Sequence, residues 1–169
     1  VNVYDIDKDG TLDLFSGSFW YKGPDFVRRS FVGPLTRTGE YYDDFSTIVL
    51  DVNRDGNPDV ITGGWFEGTL VWKENPGKNG PWTEHIIARC GNIETTQAWD
   101  IDGDGVPEII PNTPRKPLVI YRLRSSATHT VAFDSIKVSD QHGHGLGYGD
   151  INGDGRGDLI VDKGWLECP

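Results

Sequence analysis

The stretch Asp51-Val-Asn-Arg-Asp-Gly-Asn-Pro-Asp59 decides how this sequence folds. Three other stretches align with it, and successive copies begin 46, 49 and 50 residues apart. The aligned stretches are Asp5-Ile-Asp-Lys-Asp-Gly-Thr-Leu-Asp13, Asp100-Ile-Asp-Gly-Asp-Gly-Val-Pro-Glu108 and Asp150-Ile-Asn-Gly-Asp-Gly-Arg-Gly-Asp158. Matches at a nearly constant period indicate a series of structural repeats. We number these stretches loops 1 to 4 in chain order.

Each loop places an oxygen-bearing side chain at positions one, three, five and nine, and glycine at position six. Calcium takes about six to eight oxygen ligands, whereas magnesium fits less well because it keeps several of its waters. The glycine permits the sharp turn that gathers the side chains, and the backbone carbonyl at position seven is expected to add a ligand. The sequence therefore predicts up to four Ca²⁺ sites. Their predicted ligands are Asp5, Asp7, Asp9, Thr11, Asp13; Asp51, Asn53, Asp55, Asn57, Asp59; Asp100, Asp102, Asp104, Val106, Glu108; and Asp150, Asn152, Asp154, Arg156, Asp158.

An EF-hand is one alternative, because its loop opens with the same pattern. It requires Glu at position twelve and helices on both sides. Position twelve is instead Ser16, Thr62, Pro111 or Val161, and a short apolar run follows each loop. A plain Asp/Gly hairpin turn is the other alternative, but it needs only one or two acids. These loops hold fourteen carboxylates, which would repel one another without a cation.

The repeat length accommodates four short antiparallel strands, which is the size of one propeller blade. In the second repeat the predicted strands are Phe45–Leu50, Asp59–Gly63, Gly68–Lys73 and Trp82–Ala88. One blade cannot bury both of its faces, so blades must stack on their neighbours. We predict an all-β fold in which residues 1–169 form a β-propeller segment of four-stranded antiparallel blades.

The segment holds about 3.5 repeats, whereas closed propellers need about four to eight blades. We therefore expect the segment to belong to a longer chain, for example as half of a seven-bladed ring. Closure by a second copy of the chain is the less favoured alternative.

Composition narrows the possible partners. The formal net charge is −10, which argues against nucleic acid as a partner. No run of eighteen apolar residues occurs, so we expect no membrane span. Cys90 and Cys168 could pair or could be two separate thiols, and the sequence leaves both possibilities open.

The loop pattern, followed by an apolar strand, resembles the FG-GAP/VCBS repeats of integrin-α-type β-propellers. The resemblance extends over the whole chain and includes further motifs. These motifs are Gly64–Glu67, Gly164–Glu167, Trp72-Lys-Glu-Asn-Pro-Gly77 and Trp82-x-x-His-Ile86. Two departures predict weaker calcium binding at the loops concerned: Glu108 at position nine of loop 3, and Asn at position three of loops 2 and 4.

Two further sets of connections are expected on the rim opposite the loops, because antiparallel strands alternate in direction. We call this side the far rim. The predicted segments leading into the first strands are 41–44, 92–95 and 140–144, and the predicted turns between second and third strands contain Trp20-Tyr21, Trp65-Phe66, Arg115-Lys116 and Trp165-Leu166.

His142 and His144 are the most distinctive residues of the far rim. Residues two apart in an extended backbone point the same way, so both rings could converge. With Asp140 they could chelate Zn²⁺ or another transition metal, or one could act as a base. The alternative is that they are two polar residues of a Gly-rich loop. His85 and His129 are interpreted as structural or solvent-exposed.

Trp65 and Trp165 are candidate carbohydrate-binding residues, because flat aromatic faces can stack on sugars. The alternative for a repeated Trp is packing between blades. The tripeptide Arg156-Gly157-Asp158 is discounted as an adhesion motif because Asp158 is a predicted calcium ligand.

The resemblance implies two functions. Similar propellers occur in polysaccharide lyases and aldos-2-ulose-type sugar dehydratases, where His142 or His144 would be base or metal ligand and Arg115 would hold the substrate anion. The alternative is a non-catalytic adhesion or scaffold propeller that binds a protein partner, as in integrins. Loops of this kind suit the millimolar calcium outside cells, so the chain is expected to be secreted or displayed at the cell surface.

Overall fold

The computed structural model describes residues 1–78, 80–125, 130–140 and 142–167. The described residues form strands and turns, which confirms the predicted all-β class. Within them we find no helical segment of the length and hydrophobicity needed to cross a bilayer. The expectations for His129 and Cys168 concern residues that lie outside the described ranges.

The strands form four antiparallel sheets in chain order, and a small hairpin, β5–β6, lies between the first two sheets. Sheet 1 contains β1 (Asn2–Tyr4), β2 (Asp13–Ser16), β3 (Phe19–Tyr21) and β4 (Arg29–Phe31). The hairpin is β5 (Arg37–Thr38) and β6 (Tyr41–Tyr42). Sheet 2 contains β7 (Ile48–Leu50), β8 (Asp59–Gly63), β9 (Thr69–Glu74) and β10 (Thr83–Arg89). Sheet 3 contains β11 (Thr95–Trp99), β12 (Glu108–Asn112), β13 (Leu118–Ser125) and β14 (Val131–Ser139), and sheet 4 contains β15 (Gly147–Gly149), β16 (Asp158–Val161) and β17 (Gly164–Leu166).

Sheet 2 tests the predicted strand positions. The predicted strand Asp59–Gly63 has the observed bounds of β8, and the next two predictions differ from β9 and β10 by one residue at each end. The first strand is shorter than predicted, because β7 begins at Ile48. All neighbouring strands in the sheet are antiparallel. Four-stranded blades are therefore confirmed, although no closed ring is seen within the described residues.

The sheets stack through alternating faces of β2, β8, β12 and β16. The residue after loop position nine faces the preceding sheet, and the next residue faces the following sheet. Between sheets 1 and 2, Phe15 packs with Val60; between sheets 2 and 3, Ile61 packs with Ile109; between sheets 3 and 4, Ile110 packs with Leu159. Each of these six side chains is at most 2% exposed. This stacking fixes which face of every blade meets a neighbour.

Loops 1 to 4 join the first and second strands of their sheets. Neighbouring loops are in contact, since the Lys8 amine donates to Asn57 Oδ1 at 2.7 Å and to the Gly56 carbonyl at 3.2 Å. We call the side of the molecule that carries the four loops the loop rim.

Candidate metal centre

Backbone N–H groups hold the first acid of each loop in place. In loop 1, Asp5 accepts hydrogen bonds from Asp9 N at 3.0 Å and Gly10 N at 2.8 Å. Gly10 has φ 87°, a left-handed conformation that favours glycine. The corresponding glycine N–H donates to Asp51, Asp100 and Asp150 in the other loops. The loops therefore share one backbone conformation, as the repeat predicts.

The acid at position nine is buried in every loop. Asp13, Asp59 and Asp158 are fully buried, and Glu108 is 2% exposed. Each accepts a hydrogen bond from the backbone N–H of position two, at 2.9 or 3.0 Å. In loops 1 and 2 the second carboxylate oxygen also accepts an N–H, from Gly23 at 2.8 Å and from Asn75 at 2.7 Å. Position nine thus closes the loop against the blade.

Burial of Asp59 disfavours its charged form. This burial, together with the Asp55 and Asp51 charges, raises the pKa of Asp59 to about 7, although N–H donors from Asn75 and Val52 oppose the shift. A divalent cation in loop 2 would favour the charged form of this carboxylate.

The residue directly opposite position nine on the third strand, or just after that strand, is charged in all four repeats. Between the second and third strands, Leu14 pairs with Tyr21, Val60 with Lys73, Ile109 with Tyr121 and Leu159 with Leu166. The first residue of each pair directly follows loop position nine. Because the strands are antiparallel, the residue after each third-strand partner lies opposite position nine. These residues are Lys22, Glu74, Arg122 and Glu167. Its charge alternates from one repeat to the next.

Loops 1 and 3 are closed by a cation from this position. The Lys22 amine forms ion pairs with Asp7 and Asp9, and these carboxylates raise the pKa of Lys22. Arg122 lies 2.6 Å from Asp102 Oδ2 and 3.4 Å from Glu108 Oε1. Both loops carry Asp at position three, so an internal cation compensates part of their larger charge.

Loops 2 and 4 receive a carboxylate from the same position. The Asn53 amide donates to Glu74 Oε1 at 3.2 Å, and the Asn152 amide donates to Glu167 Oε1 at 3.1 Å. Glu74 Oε2 also lies 2.8 Å from His85 Nε2, and the His85 ring stacks on Trp72 at 4.3 Å, in keeping with the structural role expected for His85. The third strand therefore replaces the carboxylate that Asn at position three lacks.

The donor chemistry of the loops fits a hard divalent cation. With the third-strand residue included, each repeat provides four carboxylates in its loop and third strand. In loops 1 and 3, carboxylate oxygens of Asp5, Asp7 and Asp13, and of Asp100, Asp102 and Asp104, lie within 4.8 Å of one another. The Lys22 amine shows that loop 1 attracts a positive charge to Asp7 and Asp9. Calcium ligation by the position-seven carbonyls of Thr11, Asn57, Val106 and Arg156 stays a prediction.

Comparison with protein families identifies the central repeat. Residues 51–110 match the family model of the FG-GAP-like repeat. The match begins at the first residue of loop 2 and ends within β12. Searches of the curated proteins and of the solved structures gave no match. FG-GAP repeats are typical of extracellular domains, and the match supports a propeller-like repeat in this part of the chain.

The far rim brings together the connections that the repeat predicts there. Ahead of β11, the Asn92 amide donates to the Trp65 carbonyl at 2.8 Å. Ahead of β15, the carbonyl of His142 accepts a hydrogen bond from Arg115 N at 2.8 Å. Arg115 has φ 65°, so the turn between β12 and β13 is tight at this residue. In both cases a segment leading into one repeat contacts a turn of the preceding repeat.

His142 is buried and its ring contacts the backbone. The side chain is 4% exposed, and Thr113 N donates to Nε2 at 3.4 Å. The Asn112 side-chain amide lies 3.2 Å from Nδ1. Burial lowers the pKa of His142, although the Asp162 charge opposes the shift. These contacts tie the segment ahead of β15 to Asn112 and Thr113 of the preceding repeat.

His144 lies in a different environment from His142. Its side chain is 64% exposed, and Nδ1 lies 2.6 Å from Glu94 Oε1. Asp140 instead pairs with Lys137 at 2.7 Å. Among the described residues, neither histidine belongs to a group of three metal-capable side chains within 4.8 Å of one another. The structure therefore pairs His144 with Glu94, a partner that the sequence did not indicate.

The tryptophans differ in position from the prediction. Trp65 lies half-buried in the turn between β8 and β9, as predicted. The turn placement is wrong for Trp165, which lies in β17 and pairs with Ile160, and for Trp20, which lies in β3 and pairs with Phe15. Trp72 occupies the same register position opposite Ile61 and is buried against sheet 3. Trp165 is thus equivalent to a packing residue, with 40% of its surface exposed on the outer face of sheet 4.

Proposed function

We propose that this chain is a calcium-stabilised segment of an extracellular β-propeller. The observation that carries the proposal is the oxygen donor set of the loops. Three carboxylates of loop 1 and three of loop 3 lie within 4.8 Å of one another, and the Lys22 amine lies against Asp7 and Asp9. Calcium in such loops neutralises the clustered charges and fixes the hairpin between the first and second strands. The FG-GAP-like repeat at residues 51–110 supports the extracellular-propeller part of this proposal.

The third-strand residue divides the loops into two classes. Loops 2 and 4 present four carboxylates including Glu74 or Glu167, whereas loops 1 and 3 present four carboxylates together with Lys22 or Arg122. Calcium affinity rises with the negative charge of its ligands. Loops 2 and 4 therefore bind calcium more tightly, and loops 1 and 3 are partly closed by their own cation.

Calorimetric titration of the chelator-treated protein with Ca²⁺ tests both statements. We expect two classes of site in the wild type. Lys22→Met removes the competing cation and raises the calcium affinity of loop 1 about tenfold. Lys116→Met, which removes a lysine of the far rim, serves as the matched control and leaves both classes unchanged. Absence of saturable heat at millimolar Ca²⁺ would refute the calcium proposal, whereas equal affinities in the wild type and Lys22→Met would refute only the role of Lys22.

We further propose that the far rim binds carbohydrate. Trp65 and Arg115 lie in turns of this rim, and the backbone of each turn contacts the leading segment of the next repeat. A flat aromatic face suits a sugar ring, and an exposed arginine in the corresponding turn of the next repeat suits an acidic group. Trp165 is assigned to packing instead, because its register position is that of Trp72.

A glycan-binding screen with neutral and acidic oligosaccharides tests this assignment. Trp65→Ala should weaken binding about tenfold through the loss of stacking on the ring. Trp165→Ala provides the control and should bind as the wild type does. If Trp65→Ala retains full binding, Trp65 is not the contact. A wild type that binds no glycan favours the adhesion or scaffold function.

Catalysis at the far rim is the second candidate function, and the His144–Glu94 pair favours it. A carboxylate on Nδ1 orients the ring and leaves Nε2 available as a base at an exposed position. His142 is not suited to this role, because its ring is buried against Thr113 and Asn112. Loss of lyase or dehydratase activity in His144→Ala, with calcium binding retained, is the expected result for an enzyme.

A further inference from the structure

A cavity of about 350 Å³ lies beside sheet 2, against the segment that follows sheet 1. Residues 34–36, which follow sheet 1, form one wall, and Thr62, Thr69 and Lys73 of sheet 2 form the other. Glu67 of the β8–β9 turn and Glu84 of β10 also line it. The cavity is distinct from the loops, and Trp65 is not among its lining residues.

Lys73 is the unusual residue of this cavity. Its side chain is 4% exposed, and it lies on the face of β9 that looks towards sheet 1, beside Val60. Among the described residues, no hydrogen bond or ion pair to its amine is found, and Glu84, its cross-strand neighbour on β10, does not approach within 4.0 Å. A buried cation without a partner is strongly unfavourable. The amine therefore lacks a counter-charge that a ligand could supply.

Packing does not require a lysine at this position. The other three repeats place Tyr21, Tyr121 and Leu166 at the same register position. Tyr121 and Leu166 pack into the cores between their sheets. Lys73 alone introduces a charge into an otherwise apolar position, and a cavity lies beside it.

The remaining lining groups define the class of ligand. Glu67 already accepts a hydrogen bond from the Thr36 hydroxyl at 2.6 Å, and Asp43 holds Phe66 N and Glu67 N at 2.9 and 2.8 Å. These carboxylates disfavour a dianion such as phosphate but can accept hydrogen bonds from ligand hydroxyls. The volume suits one small molecule.

We propose that the cavity binds a small hydroxylated monocarboxylate of the sugar-acid class. The ligand carboxylate pairs with the Lys73 amine, and its hydroxyls donate to the Glu67 and Glu84 carboxylates. A charge-assisted hydrogen bond in this buried setting satisfies the amine and excludes neutral sugars, which would leave it unpaired. The site is independent of the sugar contact proposed for Trp65.

Titration calorimetry with D-glucuronate, in the presence of calcium, tests the proposal. The wild type should bind D-glucuronate saturably and should not bind D-glucose. Lys73→Met should weaken binding at least thirtyfold, roughly the loss expected when one partner of a buried charge pair is removed. Lys163→Met, which changes an exposed lysine in the turn between β16 and β17, is the matched control and should bind normally.

The thermal stability of the variants gives an independent readout. Lys73→Met should melt at a higher temperature than the ligand-free wild type, because it removes the unpaired charge, and D-glucuronate should stabilise only the wild type. If Lys73→Met does not fold, Lys73→Tyr introduces the residue of repeats 1 and 3, and NMR of the Lys73 amine in the wild type reports binding directly. Absence of saturable glucuronate binding by the wild type, or equal binding by the folded Lys73 variant, would overturn the proposal. A parallel titration with oligogalacturonate distinguishes a free sugar acid from a uronate at a chain end, and either ligand supports the site.

Discussion

Removing calcium should lower the melting temperature of this protein by about 10–20 °C. A site that holds calcium at about one hundred times its dissociation constant stabilises the folded state by about 2.7 kcal/mol, so two occupied sites contribute about 5 kcal/mol. In a chain of this length, each kcal/mol corresponds to about 2–4 °C. The measurement is thermal unfolding followed by circular dichroism, in excess Ca²⁺ and in excess chelator.

The specificity of this effect is part of the expectation. Magnesium added to the chelated and dialysed protein should restore little of the lost stability, because it demands octahedral geometry and dehydrates reluctantly. Readdition of Ca²⁺ should restore all of it. Identical melting curves with and without chelator would show that the loops are closed by their own hydrogen bonds and ion pairs, and calcium would then have no structural role.

The loops were predictable because their information is local. Position one, the glycine at position six and the acid at position nine lie within nine consecutive residues, and backbone N–H groups of the same residues hold them. The sequence therefore predicted the loop positions, the following strands and the stacked sheets. Calcium binding itself stays a prediction, since it depends on the net charge of the loop side chains as well as on their positions.

The third-strand partners could not be read from the sequence, because the intervening turn varies in length. Lys22 follows Asp13 after a turn formed by Gly17 and Ser18, whereas Glu74 follows Asp59 after the longer 64–68 connection. Only the strand register places both residues opposite position nine. The alternating charge of Lys22, Glu74, Arg122 and Glu167 therefore becomes apparent only once the register of the second and third strands is known.

The expectations for the two far-rim histidines and for Trp165 differ from the structure, because each applied a rule for strands or turns to residues that do not lie in that element. His142 and His144 were expected to point the same way because residues two apart do so in a strand, yet β15 begins only at Gly147. Trp165 was expected in a turn, but the β16–β17 turn consists of Asp162 and Lys163 alone, so Trp165 already belongs to a strand. Tertiary contacts with Thr113 and Glu94, which are distant in sequence, decide the histidine environments.

Replacing Asp59 by alanine should lower the free energy of unfolding by about 2–6 kcal/mol in chelator. Asp59 is fully buried and accepts hydrogen bonds from Val52 N and Asn75 N, so its loss leaves two buried donors unsatisfied at about 1–3 kcal/mol each. Denaturant unfolding in chelator isolates this structural term, because no metal is present to contribute. Asp59→Asn retains one acceptor oxygen and should fall between the wild type and Asp59→Ala.

Asp55→Ala is the matched control, since Asp55 belongs to the same loop but is exposed, and its carboxylate accepts hydrogen bonds from Asn57 N and the Asn53 side-chain amide. In chelator this variant should lie close to the wild type. In Ca²⁺ both variants should lose the stabilisation contributed by loop 2, because both remove a calcium ligand. Equal destabilisation in chelator would mean that burial at position nine does not close the loop, whereas the expected difference separates the role of Asp59 in folding from its role in binding calcium.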